Sequence, residues 1–94
     1  MGLSFAKRVT APSDVLMREI DGESVLLNLA NECYYGLDEV GTRMWMLLTT
    51  SESIEDACES LLAEYDVEPQ ALRQDLQELI EKLVANGLLE LAEG

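Results

Sequence analysis

The stretch ECYYGLDEVGTRMWMLL, residues 32–48, changes period in its middle. Cys33, Tyr35 and Leu37 alternate with Tyr34 and Gly36, the period-two pattern of a strand. From Val40 onward the apolar residues recur at helical spacing, as Val40, Met44, Leu47 and Leu48, with Trp45 widening the stripe. Asp38 stands between the two patterns as a helix N-cap, and Glu39 in the first turn suits the helix dipole. Gly41 in that turn costs up to ~1 kcal/mol relative to alanine, which points to close contact with a neighbouring backbone.

Upstream, VLMREI (15–20) and SVLLNLA (24–30) are rich in aliphatic and β-branched residues, and Asp21-Gly22 between them is a hairpin signal. In the second of these strands Val25, Leu27 and Leu29 share one face and Ser24 and Asn28 the other, with Leu26 interrupting the polar side. That alternation predicts a sheet whose Val25 face is covered and whose Ser24 face is wet. Asn31-Glu32 then gives a second tight turn, so that CYYGL closes a three-strand meander as its edge.

Downstream, Ser53 with Asp56 forms a capping box that uses Asp in place of Glu. It opens a helix carrying Ile54, Ala57, Cys58, Leu61 and Leu62 and ending near Tyr65-Asp66. Pro69 suits the first turn of a third helix running to about Asn86, with Gly87 as its stop and GLLEL as a short extended tail. Strands first and helices after give an α+β fold. Residues 1–13 read as a flexible lead-in and 14–94 as a single domain.

Composition narrows the function. The 94 residues carry 19 acids, 6 bases and no histidine, for a formal charge of −13. Residues 1–50 contribute −3 and residues 51–94 contribute −10, so the C-terminal half is strongly negative. Nucleic acid is a poor partner, because phosphate binding rests on Lys and Arg that release counterions. The absence of histidine, and of a cysteine beside a base, disfavours an enzyme; catalytic residues and a metal site are expected to be none, and no cofactor is expected. Cys33 and Cys58 read as small apolar side chains, with a disulfide as the alternative. No apolar run is long enough to span a membrane. The start MGLSFAKRVTAPSD is too short in apolar residues for a signal-peptide core, and Ala6 departs from the myristoylation pattern that begins at Gly2. The expectation is a soluble cytoplasmic protein.

Two features remain unspent. The edge strand contains neither Lys nor Pro across residues 32–37, and an undefended edge accepts an extended peptide by β-augmentation. Tyr34 and Tyr35 then read either as contact area for such a guest or as one surface and one core tyrosine. On the third helix Leu72, Leu76, Leu79 and Leu83 form a core stripe within about 60°. Ile80 and Val84 widen it on the side of Arg73 and Gln77, and Asp75, Lys82 and Asn86 lie on the opposite flank. Ile80 and Val84 either pack against the other helices or make one wall of a groove.

The runs DGESVLLNLANECYYGLDEVGTRMWMLL (21–48) and EYDVEPQALRQDLQELIEKLVANGLLEL (64–91) together resemble the PqqD-like proteins, also called RiPP recognition elements. The first is similar to the family's strand, Tyr-x-Leu, polar cap, Val-Gly and Trp-bearing helix; the second is similar to its Tyr-Asp-Val, spaced leucines and Gly-Leu-Leu. The resemblance covers most of the chain after Ile20, and the order and spacing of these residues carry it more than any single motif.

It implies a winged-helix-like fold, a three-stranded antiparallel sheet followed by three helices, without catalysis of its own. It also implies that the leader segment of a ribosomally made precursor peptide pairs antiparallel with the third strand, in a cleft against the third helix. The peptide would then be passed to a processing enzyme such as a leader protease or a radical SAM protein, as in lasso-peptide or pyrroloquinoline-quinone biosynthesis. Carried onto this chain, the peptide-binding residues are Glu32, Cys33, Tyr34, Tyr35 and Gly36 on the strand. Arg73, Leu76 and Ile80 form the facing wall, with the flank of Asp75 and Leu79 as its alternative. The competing reading of the same fold is a winged-helix protein-interaction or DNA-associated regulatory module.

Overall fold

The computed structural model describes residues 4–92; residues 1–3 of the expected lead-in, Gly2 among them, and residues 93–94 lie outside the described residues. In chain order the elements are β1 (Arg8–Thr10), β2 (Val15–Ile20), β3 (Glu23–Asn28), β4 (Tyr34–Leu37), α1 (Glu39–Thr50), α2 (Ile54–Glu64), α3 (Pro69–Ala85) and β5 (Glu90–Ala92). Strands β2, β3 and β4 form an antiparallel sheet in that order, followed by the three helices, as the α+β reading expects.

The local signals act where the sequence puts them. Asp21 (φ 56°) and Gly22 (φ 86°) make the two-residue turn between β2 and β3, both in the left-handed region that a hairpin of this type demands. The Asp38 carboxylate accepts from the Gly41 amide at 2.8 Å, and the Ser53 hydroxyl accepts from the Asp56 amide at 3.1 Å. The close neighbour of Gly41 is a side chain and not the expected backbone: a Cβ there would lie 3.2 Å from Leu37 Cδ2. That contact seats the first turn of α1 on the end of β4.

Residues 4–13 are more structured than a loose lead-in. Strand β1 pairs antiparallel with β5, matching Arg8 with Ala92 and Thr10 with Glu90, and Val9 is buried. The carbonyls of Lys7 and Phe5 accept the amides of Ile54 and Glu55 at 2.8 and 2.9 Å. These are N-terminal amides of α2 with no partner inside the helix, and the lead-in backbone satisfies them.

The core gathers Leu26 and Leu37 from the sheet, Met44, Trp45 and Leu48 from α1, Ile54, Cys58 and Leu61 from α2, and Leu72, Leu76, Ile80 and Leu83 from α3. Cys33 and Cys58 are both free thiols, half-buried and buried respectively.

Two sequence expectations reverse. In β3 the covered face is that of Ser24, Leu26 and Asn28, while Val25 is exposed, as is Leu29 just beyond the strand. The polar pair tolerates burial because it is satisfied: Ser24 Oγ lies 2.8 Å from Thr42 Oγ1, and Asn28 Nδ2 donates to the Gly87 carbonyl at 2.7 Å. In α3 the buried stripe is Leu72, Leu76, Ile80 and Leu83, so it is centred toward Ile80, and Leu79 is left half-buried at its border.

Candidate functional site

Among the described residues strand β4 has one neighbour, β3, and its other edge is unpaired. The Asn28 amide donates to the Cys33 carbonyl at 2.9 Å, and the register runs Leu27↔Tyr34, Leu26↔Tyr35, Val25↔Gly36 and Ser24↔Leu37. In an antiparallel ladder only alternate residues bond to a given neighbour. Cys33, Tyr35 and Leu37 therefore point their main-chain groups at β3, whereas the N–H and C=O of Tyr34 and Gly36 point outward.

The side chains obey the same alternation. Tyr35 packs against the core and Leu37 is buried, while Tyr34 is 76% exposed and Gly36 has nothing within 4 Å of a virtual Cβ. Thus Tyr35 and Leu37 anchor the strand, and its free edge is bordered by one aromatic ring and one gap. Glu32 stands off the strand, in the turn with φ 62°, and Cys33 leads into it.

That turn is fastened to the far end of α3. Asn28 Oδ1 accepts from the Ala30 amide at 2.8 Å while its Nδ2 holds the Gly87 carbonyl. Asn31 Oδ1 accepts from the Cys33 amide at 2.9 Å, and Asn31 Nδ2 donates to the Asn86 carbonyl at 3.4 Å. Gly87 (φ 73°) ends the helix in the left-handed region, and a Cβ on it would sit 2.9 Å from Asn31 Nδ2. Nothing larger than glycine lets the two asparagines come this close. Sequence reasoning read Gly87 as a helix stop, Asn31 as part of a tight turn and Asn28 as a residue of the wet face, and missed that both asparagines hold the end of α3, 59 and 55 residues away in the chain.

The residues expected for the facing wall are not brought to β4. Leu76 and Ile80 have no accessible surface and belong to the core. Arg73 turns toward α2 and the N-terminal segment, donating from Nη1 and Nη2 to the Glu55 carboxylate at 2.9 and 3.1 Å and lying 4.4 Å over the Phe5 ring. The Glu55 carboxyl is held below its ordinary range by the hydrogen bond from Arg73, and burial pushes the neighbouring Cys58 thiol up, away from the thiolate form. Leu79 lies on the flank of α3 that this cluster leaves open, in the company of Asp75, Lys82 and Asn86, all three exposed. The Asn31 contact lies at the end of that helix.

Among the described residues no group of three or more His, Cys, Asp or Glu side chains is placed to hold a metal ion, and no helix is long and apolar enough to cross a membrane. What the site offers is a short row of outward main-chain donors and acceptors on Tyr34 and Gly36, an arrangement suited to an extended peptide.

Compared with known proteins, residues 23–89 match the family model described as coenzyme PQQ synthesis protein D (PqqD). No curated protein sequence matches the chain. Among solved structures, the chain is similar to TbiB1 in complex with the TbiA(beta) leader peptide, at 36% identity and a TM-score of 0.80, covering 86% of this chain and 94% of that one. It is also similar in fold to lasso peptide synthetase B1 complexed with the leader peptide, at 23% identity and a TM-score of 0.78, covering 88% of this chain and 98% of that one.

Proposed function

This chain belongs to the PqqD family, the RiPP recognition elements, and we propose that it binds the leader segment of a ribosomally made precursor peptide and presents it to a processing enzyme. The observation that carries the reading is the unpaired edge of β4, in a domain 36% identical to one solved with a leader peptide bound. The leader pairs as an added strand with the outward N–H and C=O groups of Tyr34 and Gly36. Main-chain bonds supply affinity, and the groove beside them supplies selectivity. Cys33 and Tyr35 hold this strand in place, and Glu32 lies in the asparagine turn that precedes it.

The second wall is the flank of Asp75, Leu79 and Lys82, in place of the Arg73, Leu76 and Ile80 set that the sequence suggested. Two observations support the exchange: Leu76 and Ile80 are sealed in the core, and Arg73 is engaged by Glu55 and Phe5. Leu79 offers an apolar contact between an acid one turn before it and a base one turn after it. A leader segment with an apolar side chain flanked by opposite charges fits that flank.

The domain is a binding partner of an enzyme, either a leader protease or a radical SAM protein, acts in the cytoplasm and performs no chemistry itself. The DNA-associated alternative is not favoured, because α3 carries Arg73 and Lys82 among Asp75, Glu78 and Glu81, and Arg73 is already paired.

An NMR titration of labelled protein with the leader peptide encoded beside its gene tests the reading. Amide shifts are expected at Tyr34 and Gly36 and along Asp75, Leu79 and Lys82, with Gln77 and Arg73 still. Shifts along Arg73 and Gln77 would restore the first assignment of the wall, and a spectrum that does not move would refute leader binding.

A further inference from the structure

The free edge of β4 carries two opposite shapes side by side. Among the described residues this edge has no neighbour, and residues 32–37 hold neither Lys nor Pro to repel a second strand. The two residues whose N–H and C=O point outward, Tyr34 and Gly36, also share a face of the sheet. Tyr34 is 76% exposed, while Gly36 leaves the space around a Cβ empty to 4 Å. Glycine weakens the interior of a strand, and its place there marks the close approach of another group. Beside Gly36 the space widens into a hollow of about 640 Å³ lined by Val25, Arg18, Glu23 and Asp38.

An antiparallel partner that uses every outward group of Tyr34 and Gly36 meets them at two residues that are themselves two apart. A second copy of β4 does this within its strand in one register, with a two-fold axis between the two Tyr35 residues. An axis centred on Tyr34 or on Gly36 would instead bring in Glu32, which lies in the turn, or Asp38, which caps α1. In the register centred on Tyr35, Tyr34 of each copy stands directly opposite the partner's Gly36, and residues opposite each other share a face. Each ring then lies over the other copy's glycine, at the mouth of the hollow. Tyr35, half-buried on the inner face, meets the partner's Tyr35. A protruding ring and a gap on one strand, exchanged by a two-fold rotation, make a self-complementary surface, which is what an isologous contact requires.

The charge limits how tightly such a pair can hold. The same register sets Glu32 opposite the partner's Asp38 at both ends of the contact, and each chain carries a formal charge of −13. Two four-residue strands also bury an area at or below the ~1,200 Å² lower end of specific interfaces.

We propose that, without leader, two copies of this chain pair edge to edge through β4 about this axis, weakly, and that leader and second copy compete for the same main-chain groups. The competition rests on the leader-binding reading, and the pairing does not. The dimer covers the undefended edge until a leader is present, and by mass action it makes the apparent leader affinity fall as the chain becomes more concentrated.

Sedimentation equilibrium of the full chain from micromolar to millimolar concentration, in low and high salt, tests the pairing. A reversible dimer is expected that tightens about threefold or more from low to high salt, because screening relieves the repulsion. Tyr34→Thr removes the ring and Gly36→Thr fills the gap, each with a residue suited to a strand, and each is expected to weaken the dimer about tenfold. Circular dichroism checks folding. Glu32→Lys faces the partner's Asp38 with a base and is expected to tighten the dimer at low salt and to remove most of its salt dependence. Saturation with the leader peptide encoded beside the gene is expected to return the parent to monomer. A parent that stays monomeric throughout overturns the pairing. So does a dimer that both threonine substitutions leave unchanged, or one that persists with leader bound, since either places the contact elsewhere. A dimer that Tyr34→Thr weakens, in a chain that takes up no leader, supports the edge pairing and refutes leader binding instead.

Discussion

The two faces of β3 carry the opposite of the expected polarity. Its inner face buries Ser24 and Asn28 beside Leu26, and its outer face exposes Val25, next to the exposed Leu16 and Ile20 of β2. Hydrophobicity alone would have assigned the two faces of this strand the other way round. The inner face is selected by partners: the Ser24 hydroxyl meets Thr42, and the Asn28 amide meets the end of α3. A buried polar group that keeps its hydrogen bonds costs little, and it fixes register and angle in a way that an aliphatic side chain does not. Helix α3 repeats the pattern. Its Arg73 flank is packed onto Phe5 and paired with Glu55, while the apolar Leu79 borders the open flank. In both elements polar contacts reinforce the packed side beside the buried leucines, and an apolar residue is left at or near the surface.

The sharpest way to break this comparison is to truncate neighbouring residues of one strand. Leu26→Ala removes a side chain with no accessible surface and is expected to cost about 2–5 kcal/mol. Val25→Thr changes the outer face one residue away and is expected to stay within about 0.5 kcal/mol of the parent. Urea denaturation of both variants at equal slope reads the difference. Equal losses would mean that the outer face is covered within the domain.

Much of the fold was legible in the sequence because its signals are local. Asp21-Gly22, Asp38, Ser53-Asp56, Pro69 and Gly87 each act on main-chain groups within four residues, and each behaves as its chemistry requires. The edge character of β4 was legible as well, from the order of the strands and from the missing Lys and Pro. The face of β3 was not legible, because Ser24 is buried by Thr42, 18 residues away, and Asn28 by Gly87, 59 residues away. The burial of the α3 residues was not legible for a related reason. Leu79 and Ile80 are adjacent aliphatic residues on one helix, and the position of α2, through Arg73, Glu55 and Cys58, decides which of them is sealed.

The asparagine turn gives the next largest effect. Asn28→Ala leaves the Gly87 carbonyl and the Ala30 amide without their partners, at a cost of about 1–3 kcal/mol. Because the same contact sets the start of β4 against the end of α3, leader affinity is expected to fall in the variant that remains folded. Asn31→Asp sharpens the point: it keeps an acceptor for the Cys33 amide and loses the donor to Asn86, so it separates the shape of the turn from its attachment to the helix. Unchanged leader affinity in both variants, measured by isothermal titration, would reduce the turn to a stabilising element only.

The smallest effect belongs to the Arg73 flank and shows in pH dependence. The folded chain holds the Glu55 carboxyl below its ordinary range, chiefly through the hydrogen bond from Arg73. A depressed carboxyl contributes stability above the unfolded carboxylate pKa of about 4.3, and that contribution is lost as pH falls through the lower folded value. Glu55→Gln should therefore be slightly less stable than the parent at neutral pH, and the two should converge in acid. The pair is open to solvent on both side chains, so the gap is small and shrinks further with salt. Leader affinity should not change if, as proposed, the guest lies on the Leu79 side, because this flank fastens α3 to α2. A loss of affinity in Glu55→Gln without a loss of stability would place the guest on the Arg73 side and reverse the assignment of the two flanks.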